Sequence, residues 1–271
     1  MHIYDRSKFG ALFDAHIHTY YDLHDGMITP DELIKCTLKW KFNWVIAMAH
    51  DTLRGVNKIR QLANRKGLPT LPAMEISTGY NHILAYGVQE WHLAKDSWNP
   101  EEVIEILREQ DCAIYLSHPG INPFQGYWTP EIVRRLDIDG LEWINGSNFF
   151  LNNRTHRWFK DWHKGKIAGT DAHHPSQFGF THTQVMTNTV DSDELVKFLQ
   201  KGKCKPRGRW VPFHRFLLWE IYITSKRRFF PSFPYENLWI SPQTQPRGIF
   251  PSYTFNPADW VRELLKKPPI L

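Results

Sequence analysis

From residue 11 to about 203 the chain alternates short runs rich in β-branched and aromatic residues with segments of helical apolar spacing, and this alternation leaves few folds open. The strand candidates are "ALFDAHIH", "NWVIAMAH", "LPTLPAMEIS", "HILAYGV", "CAIYLSHP", "GLEWIN", "KIAGTDAH" and "TQVMTNTV". Between them, "TPDELIKCTLKW" offers Thr29 as a cap, Pro30 at the first helical position and Glu32 to complete a capping box. "NPEEVIEILREQ" repeats that grammar with Asn99, Pro100 and Glu102, and "TPEIVRRL" and "DSDELVKFLQKGK" also open on cap residues. Such alternation specifies an α/β fold of βα units around a largely parallel sheet. The 271 residues suffice for a sizeable core, and 42% hydrophobic with 23% charged content is an ordinary globular balance, which excludes a disordered chain.

The grammar stops near Lys205. Ten of the 18 prolines lie from Pro206 onward, among "FLLWEIYI", "KRRFFPSFP" and a final helical "NPADWVRELLKK". The expected organisation is one domain over residues 1–204 and a Pro/aromatic-rich C-terminal extension over 205–271 packed on it. Cys36, Cys112 and Cys204 are scattered and odd in number, which suits neither a disulfide framework nor a zinc knuckle and fits a reducing cytoplasm. No apolar run reaches membrane-spanning length and the first residues lack a signal-peptide core, so a cytoplasmic protein without a membrane partner is expected. A net charge of +5 leans toward anionic partners.

Chemistry gathers at the strand ends. "FDAHIHTYYDLHDG" crowds histidines and aspartates into residues 13–26. In an extended strand alternate side chains share a face, so His16 and His18 project together while Ile17 turns toward apolar packing. Two imidazoles on one face can hold a divalent transition metal. Further along, His50, Glu75, His118, Glu142 with Asn145, Asp171 and His173 fall at or just after C-terminal strand ends, where a βα barrel builds its active site. His82 instead opens "HILAYG", which suits a strand running the other way or a residue after a turn.

Taken in order, "DAHIHT", "HDTLRG" after "WVIAMA", "LPAMEIST", "NHILAYG", "SHPG", "LEWINGS" and "GTDAHH" resemble the successive motifs of the PHP (polymerase and histidinol phosphatase) family, and the closing segment most resembles its CehA-like branch. The resemblance implies a distorted (β/α)7 barrel of the PHP type whose mouth holds two or three divalent ions of manganese, zinc or iron. Carried over residue by residue, it gives His16, His18, Glu75 and Asp171 to one ion. Glu75 bridges to a second, held also by His82 and His118. A third takes His50, His173 and either Asp25 or His24, with Asp25 preferred because it directly precedes Gly26. Two departures stand out: Met48-Ala49-His50 replaces the usual Thr-Asp-His, and His24-Asp25-Gly26 replaces Ser-Asp-Gly at a longer spacing.

The implied reaction is hydrolysis of a phosphate ester of a small metabolite or nucleotide by a hydroxide bridging the ions, with Glu75, Asp171 and His173 as the catalytic set. Arg54 and Arg154 are candidates to fork onto phosphate oxygens, and His174 and His182 to protonate a leaving group. The alternatives are an exonuclease on DNA or RNA ends, a carboxylic or carbamate ester hydrolase, and a noncatalytic metal-binding module that recognises a partner. Basic "KGKCKPRGR" and "SKRRFF" support nucleic acid as that alternative partner. The completeness of the ligand set favours catalysis over the binding module.

Overall fold

Six strands form a curled sheet in chain order, a half-barrel: β2 (Val45–Ala47), β3 (Thr70–Ser77), β4 (His82–Tyr86), β5 (Ala113–Leu116), β6 (Gly140–Asn145) and β7 (Gly165–Gly169). The computed structural model describes residues 10–22, 26–78, 80–91, 99–120, 128–147, 152–215, 217 and 221. Pairing is parallel from β2 to β3 and from β5 through β7, whereas β4 runs antiparallel to both neighbours. The reversal places His82, the first residue of β4, opposite Ser77, the last residue of β3. A residue at a strand's start thus reaches the end where the other strands finish.

Helices cover the sheet where their caps predict. Helix α1 (Pro30–Lys39) starts from a complete capping box between Thr29 and Glu32, and α3 (Pro100–Arg108) starts from Asn99, whose side chain accepts from Glu101 N–H. Thr129 caps the short α4 (Pro130–Val133), and Asp191 caps α6 (Ser192–Gln200). Two further helices are α2 (Val56–Asn64) and α5 (Asn152–Trp158). Apolar residues of α1, α2 and α6 join Phe13, Ile46, Leu71 and Ile167 in one core. Those of α3 and α4 pack with Met74, Ile83, Ile114 and Leu141 in a second.

The first strand, β1 (Ala11–Phe13), belongs to a separate three-stranded antiparallel sheet of order β1, β8 (Thr181–Val185), β9 (Cys204–Gly208). Its continuation closes one side of the curl. Leu12 C=O accepts from Asn43 and Trp44 N–H beside β2, while Asp171 N–H donates to His16 C=O and His18 N–H to Ala172 C=O, both at 2.8 Å, beyond β7.

Strand β9 spans the boundary expected at 204/205. After it, Arg209 N–H donates to Phe180 C=O at 2.8 Å and Val211 N–H to Gly146 C=O at 2.9 Å, so these two residues are tied to the segments before β8 and after β6. "SKRRFF" and "NPADWVRELLKK" lie outside the described residues. No described helix is long and apolar enough to cross a membrane.

Candidate metal centre

Backbone geometry brings the polar residues to one end of the curl. His16 and His18 lie on the extended segment that pairs with residues beyond β7, and the bridge between Ile17 and Ala172 fixes which face they share. Gly169 permits the close approach, because a Cβ there would overlap the His16 backbone and Cβ. His50 bridges to Glu75 on β3, with Asp51 N–H donating to Glu75 C=O at 3.0 Å and Glu75 N–H to Ala49 C=O at 3.2 Å. The Met48-Ala49 departure therefore leaves the ladder at His50 intact.

On β6 the register slips between Glu142 and Ile144. Strict alternation would aim Glu142 and Asn145 at opposite faces of the sheet. The bulge brings both inward, so that Asn145 Nδ2 donates to Glu142 Oε2 and to Asp171 Oδ2, each at 3.1 Å. Among the described residues, non-glycine positive φ values fall on Lys41, Asp51, Asp111, His118 and Asp171. His118 (26°) and Asp171 (56°) are proposed ligands and Asp51 (49°) adjoins one, the concentration of backbone strain expected at a functional site.

Glu75 sits at the centre, 1% exposed. Its Oε2 lies 2.9 Å from His16 Nε2 and 3.1 Å from both His18 Nε2 and His50 Nε2. Its Oε1 faces the other way, 2.9 Å from His82 Nδ1, 3.4 Å from His118 Nε2 and accepting from Ser117 Oγ at 2.9 Å. Asp171 Oδ1 is 2.9 Å from His18 Nε2 and 3.4 Å from His16 Nε2, and those two nitrogens face each other at 3.1 Å. Donor atoms about 3 Å apart have the spacing of side chains that would share one metal ion.

The other ring nitrogens are already spoken for. His16 Nδ1 donates to Glu142 Oε1 at 3.0 Å and His18 Nδ1 to Asp22 Oδ2 at 2.7 Å, which turns both Nε2 atoms toward Glu75. Glu142 is itself fixed by His118 N–H at 2.8 Å, and Asp22 by His50 N–H at 3.0 Å.

Burial opposes charge on the His16 imidazole, yet Glu75, Asp171 and Glu142 hold it well above its ordinary range. His18 behaves alike, burial being outweighed by Asp171, Asp22 and Glu75. Burial would raise Glu75 and Asp171, but the surrounding imidazoles, His16 foremost, hold both well below the usual carboxylate range. A field that draws protons onto buried rings also draws divalent cations, for which the neutral rings are ligands. The donor set thus fits metal: His16, His18, Glu75 and Asp171 form one group, His50, Glu75 and His82 a second, and His18, Asp22 and His50 a third.

Other expected site residues are placed less uniformly. His173 stacks on His18 at 3.9 Å between ring centroids, and its Nδ1 donates to Asp171 C=O at 2.9 Å. His174 turns to Ser176 Oγ at 3.0 Å. Arg154, on α5, donates from Nη1 to Gly120 C=O at 3.3 Å, beside the loop that carries His118. Arg54 is exposed. His182 is not brought to the cluster: its neighbours Thr181 and Thr183 are buried, whereas its ring packs 5.3 Å from Phe42. His24 and Asp25 lie outside the described residues.

Two contributors carry no assigned role in the sequence reading. Asp22 stands four residues after His18 in the same crowded stretch, a spacing that the strand pattern alone does not single out. Asp14 accepts from Thr170 N–H at 2.7 Å and from Gly179 N–H at 3.2 Å, so it ties the His16 segment to the loop after β7. Burial pushes its carboxyl up to about 7 against those hydrogen bonds.

The PHP-associated family model matches residues 150–204. Among solved structures, a two-domain Bacteroides vulgatus protein containing a predicted PHP-like metal-dependent phosphoesterase aligns with TM-score 0.62 and 17% identity over 72% of this chain. The chain spans 64% of that protein's length. The fold is PHP-like. PsfC from Pseudomonas syringae shares it at TM-score 0.61 and 12% identity, over 79% of this chain and 98% of its own. So does an amidohydrolase from Chromobacterium violaceum with bound sulfate and no metal, at TM-score 0.51 and 13% identity, over 71% of this chain and 96% of its own. No curated protein matches the chain.

Proposed function

We propose that the PHP-like domain is a metal-dependent phosphoesterase that hydrolyses a phosphate ester of a small metabolite or nucleotide. In this reading the two sheets form one distorted (β/α)7 barrel of the CehA-like branch. The observation that carries it is the division of Glu75: one buried carboxylate turns Oε2 to His16, His18 and His50, and Oε1 to His82 and His118. A carboxylate so divided suits two cations that share it. Two or three ions of manganese, zinc or iron held there would supply Lewis acidity toward phosphoryl oxygens and lower the pKa of a bound water.

The chain's own residues do the rest. His16, His18, Glu75 and Asp171 would hold one ion, and Glu75, His82 and His118 a second. A third falls to His50, with Asp22 beside it or with His173 and a residue of the 24–25 pair. Glu142 and Asp22 orient the rings. Arg154, tethered to the loop that carries His118, stands where a guanidinium can meet phosphate oxygens at the rim.

The test begins with elemental analysis of protein purified without chelator, followed by rates on phosphomonoesters, phosphodiesters and carboxylic esters. Glu75→Gln removes the shared charge and should lower metal occupancy, with kcat/KM falling more than about 100-fold. A Gln variant with full occupancy and full turnover overturns the reading. Faster turnover of carboxylic esters than of any phosphate ester would transfer the site to acyl chemistry.

A further inference from the structure

Strand β9 is the outer strand of its sheet, and its residues alternate between partly covered and exposed. Cys204 and Pro206 are partly covered, whereas Lys203, Lys205, Arg207 and Arg209 are all exposed. In the antiparallel register Lys205 faces Gln184 and Arg207 faces His182, so these two cations stand on one face of the sheet, with Lys203 just before the strand and Arg209 just after it, its guanidinium 5.6 Å from the centre of the Phe180 ring. None of the four is in an ion pair with a described residue; the lysine and arginine pairs among the described residues join Arg108 to Asp137 and Asp139, and Lys160 to Asp161.

Alternate residues of a strand are about 6.7 Å apart, a step on the scale of the phosphate repeat along an extended single strand of nucleic acid. The row also has a direction. Gly208 pairs with Thr181, Arg209 N–H meets Phe180 C=O, and two residues later Val211 N–H reaches Gly146 C=O. Gly146 follows Asn145, whose amide holds Asp171 and Glu142. Phe213, 64% exposed, follows at this end and offers an apolar ring for a base.

We propose that the β9 row is a track for the phosphate backbone of single-stranded nucleic acid, leading its end to the rim of the metal centre. The track adds a polymeric partner to the phosphoesterase reading, and rests on that reading only in what becomes of the strand's end. A single file of cations at strand spacing matches a linear polyanion better than a membrane, which would engage a broad basic face.

The experiment measures binding of a labelled oligothymidylate to the full chain by fluorescence anisotropy across a salt series, for the wild type and for Lys205→Ala/Arg207→Ala. Hydrolysis of p-nitrophenyl phosphate is followed in parallel. Engagement of Lys203, Lys205 and Arg207, with Arg209 held over Phe180, gives a slope of log K against log salt of about −2, and the double variant should flatten it by about 1.4. Ester hydrolysis should be equal in the two proteins. No binding at low salt, or a slope that the double variant leaves unchanged, overturns the track. So does binding to phosphatidylserine vesicles that depends on Lys205 and Arg207 without binding to the oligonucleotide. A wild type that binds strands with the expected slope yet hydrolyses no phosphate ester upholds the track and overturns the phosphoesterase reading.

Discussion

Each histidine of the His16–Ile17–His18 pair has a carboxylate behind it, Glu142 at 3.0 Å and Asp22 at 2.7 Å, and this fixes which nitrogen faces Glu75. Glu142→Gln keeps the side chain's size but not its charge or its two acceptor oxygens, so the His16 ring loses its fixed orientation. Metal affinity should fall by about 10- to 100-fold with little change in the unfolding midpoint of the metal-free protein; a competition titration with a chromophoric chelator reads it, and unchanged affinity would remove the orienting role. Away from the cluster, burial and then the neighbouring Arg207 hold the His182 imidazole below its ordinary value. The folded protein therefore binds that proton less readily than the unfolded chain. Stability present above about pH 6.5 is lost as the pH falls through the lower folded value. His182→Asn should lose less unfolding free energy between pH 7 and pH 5 in urea titrations, since the cluster imidazoles are common to both proteins and cancel in the difference. Equal pH slopes would dismiss His182 as a contributor. At this scale the strand-end positions of His16, His18, Glu75 and Asp171 were legible because period-two alternation states which residues share a face. The part played by Asp22 was not, because it depends on how the chain turns after Thr19, where Tyr20 N–H meets Ile28 C=O and Asp22 N–H meets Thr19 C=O.

Elements were legible where local chemistry announces them. Helices α1, α3, α4 and α6 open on Thr29, Asn99, Thr129 and Asp191, and each side chain accepts a backbone N–H of the first turn. Helix α2 starts instead from Gly55, with φ of 82° and no side-chain cap, so its beginning carries no written signal. Strand β9 falls in the basic stretch "KGKCKPRGR", which is not among the strand candidates, and forms because Pro206 sits on an outer strand, where a missing N–H is tolerated. The β6 bulge cannot be read from "GLEWIN" at all; it is a matter of register against β7, and it is what turns both Glu142 and Asn145 inward. The contact between the His16 segment and β7 offers a test of how elements set the site. A Cβ at Gly169 would overlap the His16 backbone, which is tied to β7 and the residues after it through Ala15 N–H, His16 C=O and His18 N–H and cannot shift alone. Gly169→Ala should therefore cost about 1–3 kcal/mol of stability by overpacking. It should also weaken metal binding, read as lower metal content after gel filtration. Wild-type metal content together with a wild-type unfolding midpoint would show that the segment gives way without moving His16.

Across the whole molecule, the cluster joins parts of the chain that are far apart in sequence. His16 and His18 come from the segment after β1, Glu75 from β3, His118 from the loop after β5 and Asp171 from the loop after β7. In the unfolded chain these groups are far apart and solvated. Folding without metal buries Glu75 and Asp171 among imidazoles that must carry protons to balance them, an arrangement sensitive to pH and expensive in desolvation. A divalent ion replaces those protons, and because it binds the folded arrangement and not the dispersed one, its binding free energy adds to stability. At metal concentrations about 100-fold above Kd the addition is about 2.7 kcal/mol per site. Protein stripped with chelator should accordingly unfold at a lower temperature than protein supplied with manganese or zinc, with the midpoint rising as metal is titrated back. In Glu75→Gln most of that rise should disappear, because the carboxylate that faces both groups of imidazoles has lost its charge. Differential scanning calorimetry of the two proteins, each with and without metal, decides the matter: a wild-type midpoint indifferent to chelator would mean that the cluster, for all its convergence, closes on protons alone.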